Sequence, residues 1–476
     1  MSTTGTPPEE TGVRLGRRPA EIALAALDAA ILLYAAVVIA YLVFGGVDLG
    51  LVSAHRFSKP FLLLCVLVSL RVGLPRASWL TRWLRRIPRP RLRGKWADAA
   101  VDAAAAFVPT VLATKAVAFV ANLLFPEANP RNFVMPFDGR KFAETFAAWD
   151  SGWYWQIARG GYFYDPAGQS SIAFFPLYPL LMRLLAWPFG GTDRAIWIAG
   201  IVLSLTSFAV ALVVLHRLAD GVLGGREPAR RTVLYVAVFP FAFFFTQVYT
   251  EGLFLLVSVS AVTAAVRGRW FWAGLFGGLT ALTRPNGILI LVPLALLALT
   301  GRPALRTLVL RGVALLQVPL AFSLFCAFVQ RLSGDPLGWL HAQQHWGYSL
   351  GNRPWVELMR VVDAIEKLGP YHYFFGDPLA FYYLLHGLVA LGFLALVPRV
   401  FSRCGLALGA YAAVSLAVPL TGNALEGIGR YAATLFPVFM LLGTNTSRRT
   451  HETLLIVGSL GLALLAALFV TLHKVY

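Results

Sequence analysis

Acidic residues are scarce in this chain. Only 23 Asp and Glu stand among 476 residues, and all charged residues together make up 13%, where a soluble domain usually carries about 25%. That scarcity excludes a water-soluble protein of this size, which would divide into two or more cored domains under a charged surface. Cysteine is scarce as well. Cys65, Cys326 and Cys404 each lie in or beside an apolar run, so neither a disulfide framework nor a zinc spacing is present. There is no internal repeat and no low-complexity tract. What abounds is apolar sequence: 58% of residues are hydrophobic and the mean hydropathy is +0.68. Roughly 20 apolar residues cross a bilayer as a helix. The class that remains is an all-α polytopic membrane protein.

The net charge is +18, and its distribution explains it. Arginine clusters at 14–18, 76–93, 226–231, 267–269, 302–311, 399–403 and 448–449 all fall on one side when the apolar runs are counted as spans, as the positive-inside rule requires. No soluble basic face is present, which excludes a nucleic-acid partner. The run Glu21 to Gly45 is too long for the apolar part of a signal peptide and reads as a retained first span. Roughly thirteen spans follow from apolar length, near 21–45, 58–74, 97–125, 195–216, 232–247, 250–266, 270–283, 287–300, 312–330, 378–396, 405–420, 431–442 and 453–472. Residues 75–96, rich in arginine and tryptophan, form a cytoplasmic loop suited to anionic lipid headgroups. Residues 126–194 and 331–377 are long extracytoplasmic loops. Within the first, "AFFPLYPLLMRLLAWPFGG" carries Pro176, Pro179, Pro188 and Arg183 and reads as a juxtamembrane helix at the interface. The organisation is then 1–96, a tail with an extra hairpin and basic loop; 97–442, the core; and 443–476, a C-terminal span. Several spans are short, and a short span can end in a water-filled cavity.

The informative polar residues, most of them ionisable, gather at the outer ends of these spans and in the outer loops: Asp150, Glu251, Arg284, Asn286, His341, His345, Glu426 and Arg430. Such groups at membrane depth usually face a cavity or a partner. If 142–158 is one helix, Phe142, Phe146, Trp149, Trp153 and Ile157 share a face and Asp150 lies on a neighbouring one among small residues. The alternative is that Asp150 caps a helix starting at Ser151. Glu251 opens a span, where it could simply complement the helix dipole. Arg284 precedes Pro285, which biases it away from helix; it could also be a snorkelling arginine. His341 and His345 have i, i+4 spacing but no third metal ligand nearby, so polar contacts to a sugar or phosphate suit them better. Arg430 has the planar donors that bind phosphate bidentately, or it pairs with Glu426 one turn away.

These residues sit in motifs that carry a resemblance. "WDSGWYWQIARGGY" followed by "AFFPLYPL", then "FPFAFFFTQVYTEGLF", "ALTRPNGIL", "HAQQHWG" and "GRYAATLFPVF" resemble, in order, the motifs of the PIG-V family, the second GPI mannosyltransferase. The resemblance runs over about 97–442. It implies a GT-C-type bundle whose two long extracytoplasmic loops contain juxtamembrane helices. It also implies a polyprenyl-phosphate sugar donor, most often mannose, and inverting transfer on the extracytoplasmic face, usually without metal. The family places an acidic base at the start of the first long outer loop, the position of Asp150. In the family this motif follows the first span; here it follows the third. The chain is more similar to bacterial-type members, which implies a plasma-membrane location and leaves the acceptor, a lipid or glycan hydroxyl, open.

On that resemblance Asp150 is the expected base, accepting the acceptor's hydroxyl proton. Arg430 and Arg284, with His345, are expected at the donor phosphate, where developing charge needs fixed cationic donors. Glu251, Asn286 and His341 are expected at sugar hydroxyls or beside the arginines. Trp149, Trp153 and Tyr162 are expected to pack against sugar rings or shape the loop. The isoprenoid tail is expected in a lipid-open groove beside spans seven to ten. The rival classes are a flippase of a lipid-linked sugar, which commonly shows inverted repeats with midplane charges, and a non-catalytic membrane subunit.

Overall fold

The computed structural model describes residues 17–44, 47–48, 53–54, 58–72, 74, 94–129, 141–348, 355–376, 378–422, 425 and 427–475. Two compact units are distinguished, Met1–Leu92 and Arg93–Tyr476. In the first, helices Arg17–Phe44 and Ser58–Val72 pack on one another. Between them a minimal antiparallel pair sets Val47 opposite Ala54. Arg71 Nε donates to Asp28 Oδ1 at 2.7 Å and ties the two helices together.

The second unit is helical. Among the described residues, four of its helices reach membrane-spanning length and composition in single runs or near-continuous ones: Lys95–Leu124, Asp193–Leu223, Leu305–Ser333 and Arg448–Val470. A fifth, Tyr382–Cys404, is the apolar part of the helix Pro378–Cys404. Shorter apolar helices include Glu251–Val266, Pro285–Leu299 and Leu406–Leu420, and in the first unit Ile22–Val38 and Leu62–Arg71. The surface of the long helices is apolar where a soluble protein's would be charged. Leu112 is 66% exposed, Leu324 63% and Leu460 67%. Such a surface is tolerated only against lipid tails, and the chain is an integral membrane protein.

The expected spans near 232–247, 270–283 and 431–442 are not among those runs of the described residues. The first and last are broken, and local chemistry explains the first break. The residue before a proline is pushed out of the helical region. Phe239, before Pro240, has φ −60° and ψ 139°, so the helix Arg226–Val238 stops there. A 3₁₀ turn, Ala242–Thr246, follows with every residue buried. Arg284, before Pro285, is likewise extended at φ −152° and ψ 155°, as expected, and the 3₁₀ turn Pro285–Ile290 follows it. The last segment divides into Ile428–Ala433 and Phe436–Gly443. The juxtamembrane reading of 173–191 corresponds to a ten-residue helix, Leu177–Ala186. Its Leu180, Leu184 and the following Trp187 are exposed while Tyr178 and Met182 are fully buried.

Glu251–Val266 is the centre of the unit. It packs against Asp193–Leu223 on one side and Trp270–Ala281 on the other, and Phe254, Leu255, Val259 and Val262 along it are buried. Backbone approach is very close where Pro285–Ile290 folds back on Trp270–Ala281. A β-carbon on Gly287 would lie 2.0 Å from the Thr280 carbonyl oxygen. Only glycine fits there, and its amide donates to the Arg284 carbonyl at 2.9 Å, closing the turn. Gly287→Ala is therefore expected to force the turn off the helix and to cost about 1–3 kcal/mol, read as a lower unfolding temperature in detergent. An unchanged unfolding temperature would contradict this packing.

Candidate active site

The segment carrying Asp150 does not form one helix over 142–158. A short helix Lys141–Glu144 ends, residues 145–150 turn, and a second helix runs Ser151–Gly160. The reason lies in competing partners for the backbone. The Thr145 carbonyl accepts from Lys115 Nζ at 2.8 Å, and the ammonium sits 4.1 Å from the Phe146 ring centre. Lys115 lies within Lys95–Leu124 and is 4% exposed. Val248 N–H donates to the Phe146 carbonyl at 2.8 Å. Trp149 takes a left-handed φ of 53°, a conformation that costs a residue with a β-carbon roughly 1–2 kcal/mol. Tyr249 holds the turn from the other side: its hydroxyl accepts from the Asp150 N–H at 3.1 Å and donates to the Ala148 carbonyl at 3.2 Å. The spacing argument placed Phe142 and Phe146 on the helix of Trp153; they instead pack on one another ahead of that helix.

Asp150 thus stands at the N-cap position of Ser151–Gly160, as the capping alternative has it. Its backbone is helical, φ −61° and ψ −16°, and its side chain caps nothing. The carboxylate turns away to Arg430, whose Nη1 lies 2.8 Å from Asp150 Oδ2. The same guanidinium donates through Nε to Glu251 Oε1 at 2.7 Å. Arg284 Nη1 donates to that same Glu251 oxygen at 2.9 Å. Four charged side chains from four separate stretches form one chain of contacts, Asp150–Arg430–Glu251–Arg284. Glu251 is 0% exposed and Arg284 7%, so Arg284 is no snorkelling arginine, and Glu251 does more than complement a helix dipole. Aromatic rings pack against the cations. Arg430 lies 5.0 Å from the Phe244 ring centre and 4.8 Å from that of Tyr249. Arg284 lies 4.7 Å from that of Tyr431. Rings at such distances attract guanidinium and keep water from the pairs. The alternative partner of Arg430, Glu426, lies outside the described residues.

Above this chain opens a cleft of about 100 Å³ lined by Asp150, Tyr154, Arg284, Arg430 and Tyr431, with Gln343, Trp346 and Tyr348 from the second long loop. Gln343 Nε2 donates to the Ala173 carbonyl at 3.1 Å and links the two loops. Burial pushes the Tyr154 hydroxyl well above its ordinary range, so it stays neutral beside the carboxylates. A second, apolar groove of about 280 Å³ shares Pro285, Gln343, Tyr348 and Tyr431 with the cleft and continues over Asn286, Ile288, Leu289, Phe322, Val418 and Pro419. Asn286 is buried, and its Oδ1 lacks a hydrogen bond.

The other expected residues scatter. Trp153 stacks on Phe174 at 5.5 Å and meets Trp346 edge-on at 5.4 Å, shaping the cleft wall. Tyr162 donates to the Phe174 carbonyl at 2.9 Å, within the loop. Trp149 is partly buried against the core. His341 is exposed, with Nδ1 2.6 Å from Asp335 Oδ2, and His345 is exposed; neither lines the cleft. Sequence reasoning missed Lys115, Tyr154, Phe244, Tyr249 and Tyr431. Phe244 and Tyr249 sit in the quoted aromatic run and Tyr431 follows Arg430, which was a signal. Lys115, a lone cation inside a span, was another.

Residues 110–330 match the family model described as Mannosyltransferase (PIG-V). Among curated proteins, GPI mannosyltransferase 2 of Yarrowia lipolytica is 26% identical over 182 residues, 38% of this chain and 48% of that protein. GPI alpha-1,6-mannosyltransferase 2 of Rattus norvegicus is 32% identical over 146 residues, 29% of each chain. The matched region thus spans about half or less of these relatives. Among solved structures, the apo Archaeoglobus fulgidus oligosaccharyltransferase aligns at TM-score 0.43 and 13% identity, covering 76% of this chain and 56% of that one. ArnT from Cupriavidus metallidurans bound to undecaprenyl phosphate aligns at TM-score 0.44 and 14% identity, covering 74% and 62%.

Glu251 is the shared acceptor of both arginines. Glu251→Gln is expected to leave two buried cations with one carboxylate and to destabilise the protein by about 3–5 kcal/mol, whereas Glu251→Leu with Arg284→Met recovers part of that loss. Thermal unfolding in detergent checks both; a Gln variant that unfolds within a degree of the parent would overturn the network.

Proposed function

We propose that this PIG-V-like chain is a membrane glycosyltransferase that moves a sugar, mannose, from a polyprenyl-phosphate donor to a lipid or glycan hydroxyl. The family match supports the mannosyltransferase class. The observation that carries the mechanism is Arg430, held between Asp150 at 2.8 Å and Glu251 at 2.7 Å at the floor of a cleft that adjoins an apolar groove. The groove fits an isoprenoid tail, and the arginine pair fits the phosphate at its head.

In the proposed step Asp150 accepts the proton of the acceptor hydroxyl. The oxygen forms a bond to the anomeric carbon on the face opposite the phosphate, and the carbon–oxygen bond to phosphate breaks with its electron pair going to the phosphate oxygen. Configuration inverts, and one base suffices where hydrolases use a carboxyl pair. The charge that grows on the phosphate is met by Arg430 and Arg284, which are fixed beforehand and need no reorganisation. Glu251 supplies that fixation. In the resting arrangement the two arginines are balanced by two carboxylates, and Asp150 is occupied by Arg430. A donor phosphate therefore competes with Asp150 for Arg430, and its arrival frees the base. Bidentate guanidinium donors suit that exchange. On the arginine distribution the site would face the extracytoplasmic side, and on the resemblance to bacterial-type members the membrane would be a bacterial plasma membrane. His345, exposed and away from the cleft, has no part in this step.

Purified protein with radiolabelled polyprenyl-phosphate-mannose and a total lipid extract tests this reading, since product separates an enzyme from a flippase or a passive subunit. Asp150→Asn is expected to lower transfer by about 10²–10⁴-fold with donor binding kept within about threefold. Near-normal transfer by that variant would remove Asp150 from the role of base.

A further inference from the structure

We infer that His386, on the helix Pro378–Cys404, is a positioning residue for Arg430. This rests on the role of Arg430 proposed above, but its geometry stands by itself. Arg430 is the third residue of a six-residue helix, Ile428–Ala433. The first amides of a helix have no acceptor inside it, and so short a helix is unstable unless something outside holds it. Arg430's own amide is satisfied by the Gly427 carbonyl at 2.9 Å. The preceding amide, of Gly429, donates to Nδ1 of His386 at 3.2 Å.

That bond fixes the state of the imidazole. An amide donates, so Nδ1 must offer a lone pair, and the ring is neutral with its proton on Nε2. His386 is 0% exposed. Its ring lies 5.0 Å from that of Phe241 and 4.4 Å from that of Tyr382, centre to centre. Nε2 is buried and makes no hydrogen bond of regular geometry among the described residues. The same corner explains Gly429. A β-carbon there would lie 2.4 Å from the Phe241 ring, so any other residue would push the amide off the imidazole.

The consequence reaches the guanidinium. Arg430 must place Nε and Nη1 within 2.7 and 2.8 Å of two separate carboxylates, and a displacement of about 1 Å at such a site costs on the order of 10²-fold in rate. Phe241, Gly429 and His386 set the backbone from which that side chain reaches. None of the three lines the cleft.

Two measurements on the full-length protein test this. His386→Phe keeps a buried ring without an acceptor; His386→Asn keeps an acceptor near the Nδ1 position. In hydrogen–deuterium exchange, the peptide spanning 427–433 is expected to exchange about tenfold faster in His386→Phe and within about threefold of the parent in His386→Asn. Titration of undecaprenyl phosphate in nanodiscs, followed by tryptophan fluorescence, is expected to show about tenfold weaker binding for His386→Phe and near-parental binding for His386→Asn. His386→Leu replaces His386→Phe if the latter does not fold. Unchanged exchange in the Phe variant, or equal impairment of the Phe and Asn variants, would overturn the inference. A parent protein that does not bind undecaprenyl phosphate would sink the proposed donor, and the exchange data would still decide the part played by His386.

Discussion

One buried carboxylate oxygen, Oε1 of Glu251, accepts from two guanidiniums at 2.7 and 2.9 Å. The rest of the site depends on it. Two cations this close repel strongly where the dielectric is low, and neither arginine could stay at its position without the charge between them. Asp150 closes the chain at its exposed end, where its side chain keeps 19% exposure against 0% for Glu251. The gradient matters. The inner carboxylate is committed to structure, whereas the outer one is reachable from the cleft and can exchange its partner.

The fold brings these residues together by interrupting helices. A continuous span satisfies its own backbone and offers little to a ligand; a span that stops short leaves polar ends that must be satisfied elsewhere. Pro240 and Pro285 each hold the residue before them extended; the 3₁₀ turn after Pro240 carries Phe244 to Arg430, and Arg284 stands just before the turn that opens at Pro285. Tyr249 joins the first such break to the turn at Trp149. The left-handed Trp149 is the strained element of this junction, held by Tyr249 and, four residues earlier, by Lys115 on the Thr145 carbonyl. Pro285 also lines the apolar groove, so the break beside Arg284 borders both the cleft and the groove.

The membrane class, the helical architecture and the charged residues Asp150, Glu251, Arg284 and Arg430 were legible because charge is rare in this chain, and each exception stands out. Their pairing was not legible. Glu426 is one turn from Arg430 in sequence, while the partners found are separated from it by 179 and 280 residues, and no local pattern reports such distances. The helix over 142–158 was misread for a related reason. Its apolar spacing is sound, but Lys115 and Val248 take carbonyls that a helix would need, and both come from other segments. His341 and His345 share a face by spacing, yet spacing cannot tell a cleft from an exposed loop. His386 gave no signal in sequence, since a lone histidine inside an apolar run acquires meaning only from the amide opposite it.

The central claim is that Arg430 holds Asp150 at rest and gives it up to a lipid phosphate. A cryo-EM structure of the protein with undecaprenyl phosphate tests this most directly. The account predicts the phosphate between Arg430 and Arg284, the tail in the groove over Ile288 and Val418, and the Arg430–Asp150 contact of 2.8 Å opened while Arg430–Glu251 stays closed. A phosphate bound elsewhere, with the Arg430–Asp150 pair intact, would contradict it.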